Sequence, residues 1–193
     1  MTNKNAKGVS LIEVMVVVVV LGVLVSVVAP SFADLLNRRR ILAVAAEIAT
    51  DLAYARSEAG IRTQNVTLTF MQVGGSAGMS CYTLSVSQSA FGSCTCTNAI
   101  GTACSAGRKE IRSMQLANHV GVSFAADSPT WSRLSRGKID FVSPQMFPSL
   151  NDFQVAVEGR GGKLKIVLSD LGLVSTCSPD GSISGVRRCP GSS

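Results

Sequence analysis

The sequence has little of what most enzymes need. It contains one histidine, His119, and aromatic residues make up only 5% of the chain. A single histidine argues against a histidine-rich metal site and leaves no spare base for Ser-His-Asp chemistry. The sequence also shows no other set of residues with the types and spacing of a known catalytic site. We therefore predict a protein that is not an enzyme and that uses no cofactor and no metal.

Long apolar stretches are what the sequence does have, and they are unevenly distributed. Apolar residues make up 46% of the 193 residues. Residues 9–32 contain only four polar side chains, those of Ser10, Glu13, Ser26 and Ser31. As a helix this stretch would be about 36 Å long, enough to cross a hydrocarbon core of about 30 Å. The sequence thus predicts a single membrane-spanning helix followed by a folded domain.

The residues before this run indicate its orientation. Residues 1–8 are polar and carry Lys4 and Lys7 without any acidic residue. Basic residues on a short flank favour the cytoplasmic side. We therefore expect the N-terminus to lie in the cytoplasm and the rest of the chain to lie outside it.

A cleaved secretory signal peptide is the alternative, since it too combines a basic start with an apolar stretch. The run is long for such a peptide, and Glu13 lies near its beginning. A carboxylate within lipid costs about 2.5–3.5 kcal/mol on insertion scales. A residue with that cost suggests a specific partner inside the membrane.

The segment around Gly8 resembles the class III signal of type IV pilins and type II secretion pseudopilins. Residues 8–13 read Gly-Val-Ser-Leu-Ile-Glu, where the family usually has Phe at the second position. The resemblance implies that a prepilin peptidase cuts between Gly8 and Val9 and methylates Val9. It also implies that Glu13 pairs with the N-terminal ammonium of a neighbouring subunit during filament assembly.

Helical periodicity continues beyond the apolar run. Six apolar residues recur at spacings of three and four and define one helix face: Ile41, Ala45, Ile48, Leu52, Ala55 and Ala59. We expect the helix to end near Gly60 and its second half to pack on a sheet. Residues 51–59 resemble a stretch typical of the GspH/FimT subgroup of minor pseudopilins and minor pilins, and residues 65–70 fit the first strand of that subgroup.

Beyond the helix the pattern becomes that of β-strands. Residues 66–71, 81–86, 153–157 and 164–168 are predicted strands, and residues 116–122, around His119, are another. Residues 159–162 read Gly-Arg-Gly-Gly and lack the Lys-Ser/Thr of a phosphate-binding loop, so we expect a hairpin turn.

The predicted fold class is α+β, with a long N-terminal helix packed on an antiparallel β-sheet domain in a type IV pilin-like fold. Its expected parts are a leader peptide (1–8), a membrane-spanning helix half (9–32), an amphipathic helix half (33–62) and a disulfide-containing β-domain (63–193).

The six cysteines all fall on the side of the membrane where disulfides form. We expect Cys177 to pair with Cys189 and the other four to staple residues 74–107: Cys81, Cys94, Cys96 and Cys104. The spacing of Cys94 and Cys96 is too short for common zinc sites, so we favour disulfides over a metal.

Two arginine groups have open interpretations. Arg38, Arg39 and Arg40 form either a solvated helix face near lipid headgroups or a contact to acidic pilin residues or DNA. Some FimT-type minor pilins bind DNA through a Gly-Arg-x-Arg motif, which aligns here at Gly172 with both arginines replaced. Arg187 and Arg188 could take over that role.

The function that these observations favour is structural. The resemblance implies a minor pilin or pseudopilin at the tip of a type IV pilus or of a type II secretion pseudopilus, and the sequence does not separate the two. Its partners would be other major and minor pilins, prepilin peptidase and the bacterial inner membrane, before it enters a periplasmic or extracellular filament. The alternative is a DNA-binding minor pilin that acts in natural transformation.

Overall fold

A computed structural model describes residues 10–74, 78–88, 92–127, 137–150 and 152–190. The chain divides into two compact units, one that ends at Leu36 and one that begins at Asn37. Helix α1 (Leu11–Arg62) belongs to both. The strands are β1 (Val66–Val73), β2 (Met79–Ser87), β3 (Arg108–Ala117), β4 (Val122–Asp127), β5 (Lys138–Val142), β6 (Phe147–Pro148), β7 (Phe153–Gly159), β8 (Gly162–Leu168) and β9 (Val174–Cys177).

In the first unit, α1 exposes apolar side chains around its whole circumference. Its large apolar residues, from Leu11 to Leu36, are between 41% and 78% exposed. A helix that is apolar on all sides is typical of a membrane span or of a helix buried among others. Among the described residues, α1 is the one helix whose length and composition suffice to cross a membrane.

In the second unit, α1 is amphipathic and packs on sheet. The six apolar residues that define the predicted helix face are each at most 2% exposed. They contact a core of aromatic and aliphatic side chains that includes Phe70, Tyr82, Phe124 and Phe153. Burial of one such large side chain stabilises the fold by about 1.5–3 kcal/mol, so this face attaches the helix firmly to the sheets.

Two antiparallel sheets form the β part of this unit. The five-stranded sheet has the order β3-β2-β1-β5-β6, and the four-stranded sheet has the order β4-β7-β8-β9. Every strand pair is antiparallel, and consecutive strands such as β1 and β2 or β7 and β8 are neighbours. The predicted α+β class, a long helix packed on antiparallel sheet, is confirmed.

Helix α1 ends at Arg62, the last residue of the helix half expected from the sequence and two residues beyond Gly60. Gly60 lies against the side chain of Met146, where a Cβ atom would be 2.5 Å from the sulfur, so this glycine serves close packing rather than helix termination. The predicted strand around His119 is wrong, because residues Asn118–Val120 form a 3₁₀ turn that ends at Gly121 with φ 79°. This turn separates β3 from β4 and lets the chain cross between the two sheets.

Candidate functional site

The predicted cleavage site lies outside the described residues. Gly8 and Val9 both belong to the undescribed start of the chain. The cleavage and methylation that the resemblance implies for these two residues therefore stay predictions.

Glu13 lies in the first turn of α1, with its side chain exposed. A carboxylate in the first turn of a helix is favoured by the helix dipole, which makes this position chemically reasonable. Glu13 forms no ion pair with any residue that the structure describes. Its neighbours along the helix are leucine, isoleucine, valine and methionine.

A buried polar network connects α1 with the five-stranded sheet. Asp51 is 1% exposed and accepts hydrogen bonds from the hydroxyl of Tyr82 at 2.6 Å and from Nη1 of Arg112 at 2.9 Å. Nη2 of Arg112 also contacts Glu47 at 2.9 Å. Burial, together with the hydrogen bond to Asp51, raises the pKa of Tyr82 far above its ordinary value. The network thus holds a neutral phenol against a buried carboxyl group inside the fold.

Sequence reasoning missed this network, although one signal was available. Asp51 directly precedes Leu52 and lies at the edge of the predicted apolar helix face. An acidic residue in that position requires a hydrogen-bonding partner from the sheet. Which partner it has could not be predicted, because Tyr82 and Arg112 are 31 and 61 residues away in sequence.

A second carboxylate is held at the end of α1. Glu58 is 8% exposed and accepts a hydrogen bond from Nε of Arg62. The hydrogen bond from Arg62, and after it one from Tyr54, lower the pKa of Glu58. The opposite charges of Glu58 and Arg62 in the last turn of α1 therefore pair with each other.

Three disulfides join the six cysteines in pairs: Cys81 to Cys96, Cys94 to Cys104, and Cys177 to Cys189. The third is the pair that the sequence favoured. The first two hold the segment after β2, within the range that the sequence assigned to the other four cysteines. The described residues contain no group of three or more His, Cys, Asp or Glu side chains placed to hold a metal.

The loop that Cys94 and Cys104 close is also held by a carboxylate. Glu110, on β3, accepts hydrogen bonds from the amides of Gly101 at 3.0 Å and Ala103 at 2.9 Å and from the hydroxyl of Ser113 at 2.7 Å. Burial alone would raise the pKa of Glu110, but these hydrogen bonds outweigh it and lower the pKa. The loop is therefore a fixed feature of the surface.

The C-terminal disulfide closes a loop with its own hydrogen bonds. The amide of Ser178 donates to the carbonyl of Arg187 at 2.9 Å, and the amide of Cys189 donates to the carbonyl of Ser178 at 3.1 Å. Hydrogen bonds from Ser182 lower the pKa of Asp180 to about 2. These contacts fix the backbone that carries Arg187 and Arg188.

Arg187 and Arg188 are both exposed and form no ion pair with a described residue. They line a surface cleft of about 280 Å³ together with Ser175. Ser175 occupies one of the two positions where the DNA-binding motif would have arginine. The structure thus places the candidate arginines beside the position that they would replace. Leu173, at the other position, is 59% exposed.

The comparisons with known proteins concern different parts of the chain. Residues 3–29 match the family described as the prokaryotic N-terminal methylation motif, and this range includes Gly8, Val9 and Glu13. Among solved structures, the chain is similar to the minor pseudopilin EpsH from the type 2 secretion system of Vibrio cholerae. The identity is 10%, the TM-score is 0.43, and the alignment covers 70% of this chain and 94% of EpsH. No curated protein sequence matches the chain.

Proposed function

We propose that this chain is a minor pilin or pseudopilin, a structural subunit of a type IV pilus or of a type II secretion pseudopilus. The observation that carries the proposal is the methylation motif at the start of a membrane-length apolar helix. The second half of the same helix packs on a disulfide-stapled β-domain. An anchor of this kind, joined to a folded domain, suits a subunit that works by assembly.

The proposal assigns a role to each part of the chain. Residues 1–8 are the leader that prepilin peptidase removes, and Val9 becomes the methylated N-terminus. Residues 9–32 hold the subunit in the bacterial inner membrane with its start in the cytoplasm. Residues 33–62 support the β-domain, which comprises residues 63–193. This domain lies in the periplasm before assembly and at the tip of the filament after it.

Glu13 has the central role in assembly. Its carboxylate would meet the N-terminal ammonium of a neighbouring pilin, because two opposite charges in a low-dielectric environment attract strongly.

The experiment that tests the proposal is the mass of the mature protein. We expect the purified chain to begin at Val9 and to carry one methyl group on its terminal amine. A Gly8→Ala variant tests whether cutting depends on this glycine, and Gly22→Ala serves as a control for the same change inside the apolar run. A mature N-terminus at or beyond Ala33 would contradict the proposal, since it would indicate an ordinary signal peptide.

The two machines can be separated by complementation. A strain that lacks its own minor subunit can be assayed for surface pili and, separately, for protein secretion after this chain is supplied. Rescue of one activity but not of the other assigns the machine.

A second candidate function is DNA binding in natural transformation. It is favoured by the cleft that Arg187 and Arg188 share with Ser175. Arginine guanidinium groups bind phosphates well, but two of them provide only a small part of a DNA interface. We expect the full chain in detergent to bind duplex DNA no more tightly than about 10⁻⁶–10⁻⁴ M near physiological salt, the non-specific range.

A titration at two salt concentrations, with wild type and with Arg187→Ala/Arg188→Ala, checks this expectation. Submicromolar affinity that the double substitution abolishes would make the DNA-binding function the leading one. Weak affinity that is equal in both proteins would remove these arginines from consideration as a DNA site.

A further inference from the structure

Four exposed arginines lie at the end of the second unit where its helix begins. Arg38, Arg39 and Arg40 occupy the first turn of α1 within this unit, and Arg160 lies in the turn between β7 and β8. We call these four residues the arginine belt. Because successive helix residues are rotated by about 100°, the three helical members cover about half of the circumference of α1.

The β7–β8 turn lies directly on the helix backbone. A Cβ atom at Gly161 would be 2.6 Å from the amide nitrogen of Arg38 and 2.9 Å from the carbonyl carbon of Asn37. No side chain fits at position 161, so glycine is needed for this contact. The contact places Arg160, the preceding residue, near the start of the helix segment that carries Arg38, Arg39 and Arg40. Gly159 makes a similar approach to the side chain of Ile41, where a Cβ atom would be 3.2 Å away.

The belt carries more positive charge than the acidic residues near it can balance. None of its four members forms an ion pair with a described residue, although Asp34 precedes Arg38 by four residues on α1. The nearest acidic residue along the hairpin, Glu158, is held by Lys163 at 3.1 Å. A cluster of like charges in excess of its counter-charges repels itself, and an external anionic surface would relieve that repulsion.

The position of the belt in the sequence indicates which anionic surface. The apolar run ends at Phe32, and Arg38 follows six residues later, about 9 Å along a helix. The polar headgroup layer adds about 5–8 Å on each side of the hydrocarbon core. Arginine side chains can extend back toward such a layer while their guanidinium groups stay hydrated.

We propose that the arginine belt binds the headgroups of anionic lipids. The proposal depends on the membrane insertion of the apolar run, and it does not depend on filament assembly. Each basic side chain at an anionic membrane surface contributes about a fivefold gain in affinity. The four together hold the β7–β8 turn against the lipid surface while the subunit waits in the membrane.

The test uses the full chain in lipid nanodiscs of two compositions, phosphatidylcholine alone and phosphatidylcholine mixed with phosphatidylglycerol. Amide hydrogen exchange of residues 158–163 is measured in both. We expect slower exchange in the anionic nanodiscs, and we expect added salt to remove most of the difference because it screens surface charge. Arg160→Gln should reduce the protection about fivefold.

Lys109→Gln provides the matched control, because it removes one exposed positive charge at a distance from the belt. Lys109 pairs with Val86 in the sheet, and Val86 pairs with Val66, the first residue of the strand that follows the end of α1. This variant should exchange like wild type in both nanodiscs. A triple change of Arg38, Arg39 and Arg40 to Gln should abolish the lipid dependence.

Equal exchange in the two nanodiscs would overturn the proposal. Protection that appears with duplex DNA and not with phosphatidylglycerol would also overturn it and would reassign the arginines to nucleic acid. The proposed assembly function is judged separately, by the mass of the mature N-terminus, so the failure of one proposal can be distinguished from the failure of the other.

Discussion

The two units of this chain satisfy their polar groups in opposite ways. In the unit that begins at Asn37, Asp51 receives two hydrogen bonds from side chains of the sheet and lies within a closed core. In the unit that ends at Leu36, Glu13 has no described partner and is surrounded by exposed apolar side chains. In the second unit Asp51 is enclosed by its partners, whereas in the first unit Glu13 and the apolar side chains around it are exposed. Mutations should separate the two units in the same way, with assembly affected in one and folding affected in the other.

The largest effect is expected from Glu13→Ala. This variant should be cleaved and inserted into the membrane like wild type, because neither step needs the carboxylate. It should enter filaments poorly, since the ammonium of its neighbour would lose its partner, at a cost of about 3–5 kcal/mol for a buried pair. The measurement is the ratio of filament-associated to membrane-associated protein.

Ser26→Ala is the control for a polar change in the same helix, because the Ser26 hydroxyl bonds only to the carbonyl of Val23, within α1. It should assemble normally. Normal incorporation of Glu13→Ala would contradict the intermolecular role, and it would mean that the first unit depends on its apolar surface alone.

Removal of the C-terminal disulfide should have the next largest effect, and on folding only. Cys177→Ser should lower the free energy of unfolding by about 2–4 kcal/mol, because the reduced chain gains loop entropy when it unfolds. Chemical denaturation measures the loss. The double variant Cys177→Ser/Cys189→Ser should lose about the same amount, since both variants lack the same bond. Free thiols at both positions in protein isolated from the periplasm would argue against this pairing.

The smallest effect should come from the buried network. Tyr82→Phe removes one of the two hydrogen bonds that Asp51 receives and should cost about 1.5–3 kcal/mol, the range for bonds to charged groups. Tyr54→Phe is the comparison, because Tyr54 also donates to a carboxylate, that of Glu58, but is itself 39% exposed, so that water can replace its hydroxyl. Chemical denaturation measures the free energy of unfolding of both variants. Equal losses of this free energy would show that burial does not strengthen the hydrogen bond between Tyr82 and Asp51.

Much of the fold could be predicted because its elements follow local patterns. The helix face from Ile41 to Ala59 and the strands of the β7–β8 hairpin have clear periodicity in the sequence. The 3₁₀ turn at His119 was mistaken for a strand, because apolar residues flank it in an alternating pattern and the change of sheet is a tertiary event. The pairing of Cys81 with Cys96 could not be chosen from sequence, because a strand and a loop have to meet before the sulfur atoms do.

For the candidate site, the sequence proposed residues such as Arg187 and Arg188 but not their surroundings. The cleft that Arg187 shares with Ser175 depends on how the C-terminal loop folds back beside β9. The contact between Gly161 and the helix backbone depends on the register of β7 with β8. Both contacts join segments far apart in the chain, and no local pattern specifies them.

The first two disulfides overlap in the sequence, because Cys94 lies between Cys81 and Cys96. A protease that cuts the backbone between residues 97 and 103 would release no fragment, because this segment lies within the loop that Cys94 and Cys104 close. The two pieces would stay covalently joined through that bond, while Cys96 stays bonded to Cys81 within the upstream piece. Such a nick would be invisible on a non-reducing gel and would appear only after reduction. The chain could thus be cut at this loop and still remain in one piece.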